Sequence, residues 1–209
     1  RDLLDNGPGS PFREWFCGID YSRKSPLGDP FYYETWKGHY RFVKLNTSNN
    51  EVRDYLFSAV RFWVEEFGID GLRLDCADSL DFGFLSALAE FTGKIKNDFW
   101  LMGEVIHGDY SRWTDFGGLD SVTNYNLFKA LYSCHNDRNY FEIAHTLGRQ
   151  FDRKKGMYKN IRLYNFADNH DVNRIASTLK DQAHLYPLHI LLFTVPGIPS
   201  IYYGSEWGI

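Results

Sequence analysis

Three short stretches carry residues suited to acid–base or nucleophilic chemistry. Gly71-Leu72-Arg73-Leu74-Asp75 sets an Arg two positions before an Asp, Gly103-Glu104-Val105-Ile106-His107 closes an apolar run with a Glu, and Asp168-Asn169-His170-Asp171 follows another apolar run. Strand side chains alternate between faces, so Arg73 and Asp75 share one face of an extended segment. A neighbouring guanidinium favours the charged form of a carboxyl, and an ionised Asp at a strand end resembles a nucleophile. The same pair is also an ordinary structural ion pair, and taken alone it favours that plainer reading. Gly103-Glu104 alone says little, because any exposed strand end accommodates a Glu. Asp168-Asn169-His170-Asp171 alone fits a capped turn or half of a metal site as well as a catalytic segment.

These residues need elements that deliver them to one place. Val52, Tyr55, Leu56, Ala59, Val60, Trp63, Val64 and Phe67 recur at intervals of three and four, which predicts an amphipathic helix. Asn49 or Asn50 is its cap, and Glu51 lies in its first turn, where the helix dipole favours an anion. The strand Gly71–Asp75 follows, then a helix over about Phe82–Asn97 and an apolar strand over Phe99–Val105. Short strands are expected near Leu119–Thr123, Ile161–Phe166 and Ile201–Tyr203. Helical pattern covers Asn126–Ser133, Tyr140–Phe151, Asn173–Leu179 and Ala183–Phe193.

Strands alternating with helices call for parallel pairing through crossover helices. Acidic residues gather just after the strands, as in a (β/α) barrel, whose chemistry sits at the C-terminal strand ends. An open doubly wound sheet would place its site similarly, but no glycine-rich phosphate turn follows the first strand. Only about five strands can be counted, against the eight of a closed barrel. The expected fold class is therefore α/β, a partial (β/α)8 TIM barrel preceded by an irregular loop subdomain. That subdomain is assigned to residues 1–46, which Pro8, Gly9, Pro11, Gly18, Pro26, Gly28, Pro30 and Gly38 punctuate, with at most one short helix near Phe12–Phe16. Residues 47–209 are assigned to the barrel.

Composition excludes several function classes. A net charge of −4 without an extended Lys/Arg run argues against nucleic acid or a membrane surface as partner. No apolar stretch approaches a membrane span. Cys17, Cys76 and Cys134 have no CxxC spacing and read as free thiols of a reducing compartment, so the expected location is cytoplasmic. Aromatic residues make up 18% of the chain, and those interleaved in the polar first stretch suit flat apolar ligand faces such as sugars; Tyr33 and Trp36 are candidates for such a platform.

Taken together and in order, the three motifs resemble conserved regions of the α-amylase family, glycoside hydrolase family 13. Val43-Lys44-Leu45-Asn46 is similar to the short motif near the end of that family's protruding loop domain, and Gly197–Glu206 to its eighth barrel strand. Asp75-Cys76-Ala77-Asp78-Ser79 resembles the oligosaccharide, cyclomaltodextrinase and neopullulanase side of the family, the usual α-amylases having Lys-His at the last two positions. The resemblance covers essentially the whole chain. It implies about strands 4 to 8 of the barrel, with residues 1–46 as a domain-B-like loop between strands 3 and 4. The Asn-His pair that ends strand three in the family is missing from the sequence, so the resemblance also implies a piece of a longer enzyme.

The activity implied is retaining hydrolysis of α-glucosidic linkages in starch, maltodextrin or related oligosaccharides. By the same resemblance Asp75 is the nucleophile, Glu104 the general acid and base, and Asp171 the third acid that binds sugar hydroxyls and steadies the transition state. Arg73, His170, His107 and Trp207 fall on the substrate side, with Glu206 beside Trp207 at the mouth. No cofactor or catalytic metal is required for this chemistry, although some family members hold a structural calcium. The implied partner is an α-glucan, with no nucleic acid and no membrane; the isolated piece is expected to self-associate through unpaired strand edges and to hydrolyse little. Three alternatives stand beside this reading. One is a transglycosylase of the same family. Another is a metal-dependent barrel hydrolase using Asp75, His107, His170 and Asp171, which the absence of HxH or HxxxH spacing disfavours. The last is a non-catalytic binding subunit, against which the three retained carboxylates count.

Overall fold

The computed structural model describes every residue from Arg1 to Ile209. They form two compact units, Arg1–Asp70 with Ser79–Asn97, and Gly71–Asp78 with Asp98–Ile209. Neither unit is bounded at Asn46, where the sequence pattern ends its loop subdomain. No helix is long and apolar enough to cross a membrane.

The first unit holds α1 (Asp2–Asn6), the antiparallel hairpin β1 (Thr35–Trp36) and β2 (His39–Val43), α2 (Asn50–Phe67) and α3 (Phe82–Ile95). Its first 46 residues are more regular than their composition suggests, with a helix at Asp2–Asn6 and a hairpin that periodicity does not reveal. The order comes from non-local contacts. Leu3, Phe31 and Tyr33 are buried together, with Phe16, Ile19, Tyr21 and Tyr40 packed around them. The Cys17 and Lys44 backbones pair at 2.9 Å, as do those of Tyr32 and Asp20. Tyr33 is therefore a core residue and not a sugar platform: its ring is buried and its hydroxyl donates to Asp29 Oδ2 at 2.7 Å.

Helix α2 begins where the sequence places it, Asn49 Oδ1 accepting from the Glu51 and Val52 N–H groups. Gly68, in the left-handed region at φ 64°, closes it by donating its N–H to Val64 O. The predicted apolar stripe is only partly covered, for Val52 and Val60 are buried while Tyr55, Trp63 and Phe67 are exposed. Phe57, outside that stripe, stacks on Phe91 of α3 at 4.9 Å. Asp81 caps α3 through the Phe84 N–H.

The second unit is a parallel α/β arrangement. In chain order it comprises β3 (Gly71–Leu74), β4 (Trp100–Gly103), α4 (Ser111–Asp115), β5 (Ser121–Val122), α5 (Tyr125–Asn136), α6 (Phe141–Phe151), β6 (Tyr164–Phe166), α7 (Ile175–Thr178), α8 (Leu185–Thr194) and β7 (Ile198–Ser200). Strands β3, β4 and β5 are parallel neighbours in that order, and β6 pairs in parallel with β7. A parallel bridge from Thr123 to Tyr164 links the two sets. Helices α5 to α8 cover them with a core of Leu127, Leu131, Ile143, Ile175, Leu188 and Leu192.

The last strand lies at Ile198–Ser200, three residues before the predicted Ile201–Tyr203, which instead forms the approach to a 3-10 turn at Ser205–Trp207. Pro196 and Pro199 read as breakers in the sequence. Pro199 is nonetheless accommodated within β7, where it stands opposite Asn165 of β6.

Candidate active site

Strand β3 stops one residue before Asp75 and β4 one residue before Glu104. Their register pairs Leu74 with Gly103, and the Glu104 N–H donates to Leu74 O at 2.9 Å, so the two carboxylates emerge side by side. Gly103 allows this close packing. A Cβ there would stand 2.5 Å from Leu119 Cδ1 and 2.9 Å from Ala77 Cβ.

Arg73 is bonded to both acids. Its Nη1 lies 2.6 Å from Asp75 Oδ1 and its Nη2 3.0 Å from Glu104 Oε1. The acids differ in setting: the Asp75 side chain is 69% exposed and that of Glu104 only 6%. Buried carboxylates need partners, and Glu104 has them. Oε2 accepts from the Cys76 N–H at 3.1 Å, and Oε1 also accepts from Tyr125 Oη at 3.3 Å. Cys76 is in the left-handed region at φ 45°, uncommon outside glycine, where its N–H meets Glu104. Burial pushes its thiol up from the usual range, and the charges of Asp75, Glu104 and Asp78 push the same way.

One oxygen each of Asp75 and Glu104 and the Cys76 sulfur lie within 4.8 Å of one another. This set does not fit a structural calcium ion. Calcium takes six to eight oxygen ligands, a thiol is a poor substitute, and Arg73 already occupies one oxygen of each carboxylate.

The Asp168–Asp171 segment divides its labour. Asp168 is buried and structural, its Oδ2 accepting from the Ile175 N–H at 2.8 Å and its Oδ1 from the Ser205 hydroxyl at 2.5 Å. It ties the segment after β6 to the turn after β7. Asn169 Oδ1 accepts from the N–H groups of Asp171 and Val172, at 2.8 and 3.1 Å, and its amide nitrogen donates to Tyr125 Oη at 3.4 Å. His170 Nε2 and Asp171 Oδ2 are 3.0 Å apart, both side chains about half exposed. Burial pushes the Tyr125 phenol up; its bond with Asn169 opposes this, while the charges of Glu104 and Asp171 add to it. Asp171 is thus within electrostatic reach of the tyrosine that holds Glu104.

Of the seven residues expected from the sequence, Arg73, Asp75 and Glu104 are brought into direct contact. Asp171 and His170 pair with each other and are linked to Glu104 through Asn169 and Tyr125. His107 is exposed on the loop after β4, and Trp207 is 76% exposed in the Ser205–Trp207 turn; neither is bonded to the carboxylates. Sequence reasoning missed Tyr125 and Asn169 as site residues. Tyr125 carried a weaker signal than Asp75, since it lies shortly after a strand, here β5, and opens the helix that follows.

Residues 13–209 match the family model for the alpha amylase catalytic domain. The chain belongs to the α-amylase family. Within that family it is 31% identical to a cyclomaltodextrinase of Bacillus sp over 215 residues, a match covering 100% of this chain and 37% of the relative. It is 33% identical to neopullulanase 2 of Thermoactinomyces vulgaris over 219 residues, covering 100% of this chain and 36% of that protein. Among solved structures, a cyclomaltodextrinase superposes with a TM-score of 0.85 at 29% identity, covering 100% of this chain and 36% of the other. The debranching enzyme from Nostoc punctiforme gives 0.83 at 31% identity, covering 99% and 46%. The chain spans little more than a third of the length of these curated relatives. α-Amylase-family membership makes its parallel strands part of a (β/α)8 barrel, in which chemistry sits at the C-terminal strand ends.

Proposed function

We propose that this chain carries the catalytic centre of a retaining glycoside hydrolase acting on α-glucosidic linkages of starch, maltodextrin or related oligosaccharides. One observation carries the reading: an oxygen of exposed Asp75 lies within 4.8 Å of an oxygen of buried Glu104, with Arg73 bonded to both. Retaining enzymes hold their two carboxyl groups about 5–5.5 Å apart, whereas inverting ones leave about 6.5–9.5 Å for a water. The names of the relatives, cyclomaltodextrinase and neopullulanase, support the substrate class.

In this reading Asp75 attacks the anomeric carbon as that carbon's bond to the glycosidic oxygen breaks, and Glu104 gives the departing oxygen its proton. Water then attacks the same carbon, Glu104 takes the proton, and Asp75 leaves as a carboxylate. Glu104 Oε2 has the Cys76 N–H as its one partner, which leaves a lone pair for that proton. Asp171 and His170 bind hydroxyls of the sugar beside the cleaved bond, and Asp171 offsets charge developing on the ring. His107 stands on the leaving-group side and Trp207 at the substrate mouth. No step in this chemistry calls for a cofactor. We assign β3 to β7 as barrel strands 4 to 8, residues 1–46 as the loop subdomain between strands 3 and 4, and the cytoplasm as the location.

The test is a trapped intermediate. The full-length enzyme, inactivated with an activated fluoro-glucoside and digested, should show the glycosyl adduct on the Asp75 peptide by mass spectrometry, and Asp75→Asn should lose both adduct and turnover. An adduct on any other residue overturns the assignment.

A further inference from the structure

We infer that Tyr125 is a positioning residue that holds one oxygen of Glu104 and couples it to the Asn169–Asp171 turn, leaving the other oxygen to carry the proton. This rests on Glu104 being the acid and base. Tyr125 opens α5, separated from the end of β5 by Thr123 and Asn124, and its hydroxyl lies between groups delivered by β4 and β6. The ring is fixed by Phe166, which meets it edge-on at 4.9 Å, and by Phe128 at 6.2 Å. The helix start is fixed as well, Asn124 capping it through the Leu127 N–H at 3.1 Å.

The direction of the hydrogen bonds is determined by valence. Asn169 Oδ1 accepts from two backbone N–H groups, which commits the other end of its amide to donation. That end donates to Tyr125 Oη, so the single hydroxyl proton of Tyr125 is free to point at Glu104 Oε1. The Arg73 guanidinium is ion-paired with the same oxygen at 3.0 Å. Oε1 is thereby occupied twice and Oε2 once, and the transferable proton belongs on Oε2.

Two variants of the full-length enzyme test this. Tyr125→Phe deletes the hydroxyl. Asn169→Asp keeps the Oδ1 acceptor of the turn but replaces the amide donor with an acceptor, which draws the Tyr125 proton away from Glu104. Each is assayed on a maltooligosaccharide, whose leaving alkoxide needs a proton, and on α-glucosyl fluoride, whose leaving group does not. The expected result is a loss in kcat/KM of roughly 10- to 100-fold on the oligosaccharide, the range for one hydrogen bond to a charged group. On the fluoride the loss should be under about threefold, and the double variant should fall short of the summed effects. Unchanged activity on both substrates overturns the inference, and so does an equal loss on both, which would mark a packing role. Glu104→Gln separates the two levels: it should spare the fluoride while losing the oligosaccharide, and if it does not, the acid/base reading itself fails.

Discussion

Arg73 reaches Asp75 with one nitrogen and Glu104 with the other, a geometry that only a planar fork supplies. Arg73→Lys keeps the charge and loses one of the two contacts, and kcat/KM of the full-length enzyme should fall by roughly a hundredfold or more with little change in unfolding temperature. A second residue-scale prediction concerns His135, buried on α5 with Nδ1 2.7 Å from Leu131 O. Burial holds its pKa below the usual value, and nearby His184 adds to this. The unfolded chain titrates this group near pH 6.5, so just below that pH the unfolded state binds more protons than the folded one. Stability should therefore decline as pH falls through about 6.5 and level off below the folded pKa. Denaturant midpoints at several pH values should show this component in the native sequence and not in His135→Gln. Asp75, Glu104 and Asp171 were singled out at this scale because acidic residues gather just after apolar runs. Tyr33 was misread because its partners, Phe31 and Asp29, lie in a stretch without period.

Helix α2 and strand β4 show what local pattern fixes and what tertiary context decides. The cap at Asn49 was readable from side-chain chemistry, and Asn49→Ala should cost about 1 kcal/mol of stability by chemical denaturation. Which face of α2 is buried was not readable, because Phe57 finds Phe84 and Phe91 on a helix whose position the periodicity of α2 does not encode. In the sequence Gly103 is simply part of the apolar strand Phe99–Val105. In the structure it is the position where β4 packs against Leu119 and Ala77, and Gly103→Ala should destabilise by about 1–3 kcal/mol and displace Glu104 with it. The measurement is a paired one, unfolding midpoint and kcat/KM, with both expected to fall. The shift of the last strand to Ile198–Ser200 has a similar origin, since the pairing of Pro199 with Asn165 of β6 is a tertiary contact that local pattern does not encode.

Parallel topology was legible for the molecule as a whole, because strands that alternate with helices have few other ways to pair. The division into two compact units was not, since Ser79–Asn97 joins the first unit after the chain has already built β3 in the second. Within this chain β3 pairs only with β4 and β7 only with β6, so each presents an unpaired edge. Apolar side chains add to this, with Tyr55, Phe62 and Phe67 of α2 and Tyr186, Ile190 and Phe193 of α8 exposed. The 209-residue chain on its own should self-associate in sedimentation experiments and turn over maltooligosaccharides far more slowly than the full-length enzyme. A stable monomer with full turnover would count against both expectations.

The sharing of Arg73 between two acids has a consequence for charge conservation along the proposed reaction. Before cleavage the negative charge belongs to Asp75 and Glu104 holds a proton; in the glycosyl-enzyme Asp75 is a neutral ester and Glu104 is the anion. The total never changes, and the charge moves from the partner of Nη1 to the partner of Nη2. A guanidinium delocalises its cation over both nitrogens, so the counter-ion follows the anion without any atom having to travel. The protein then meets each half of the cycle already solvated, and the electrostatic reorganisation that water would have to supply is built into one side chain.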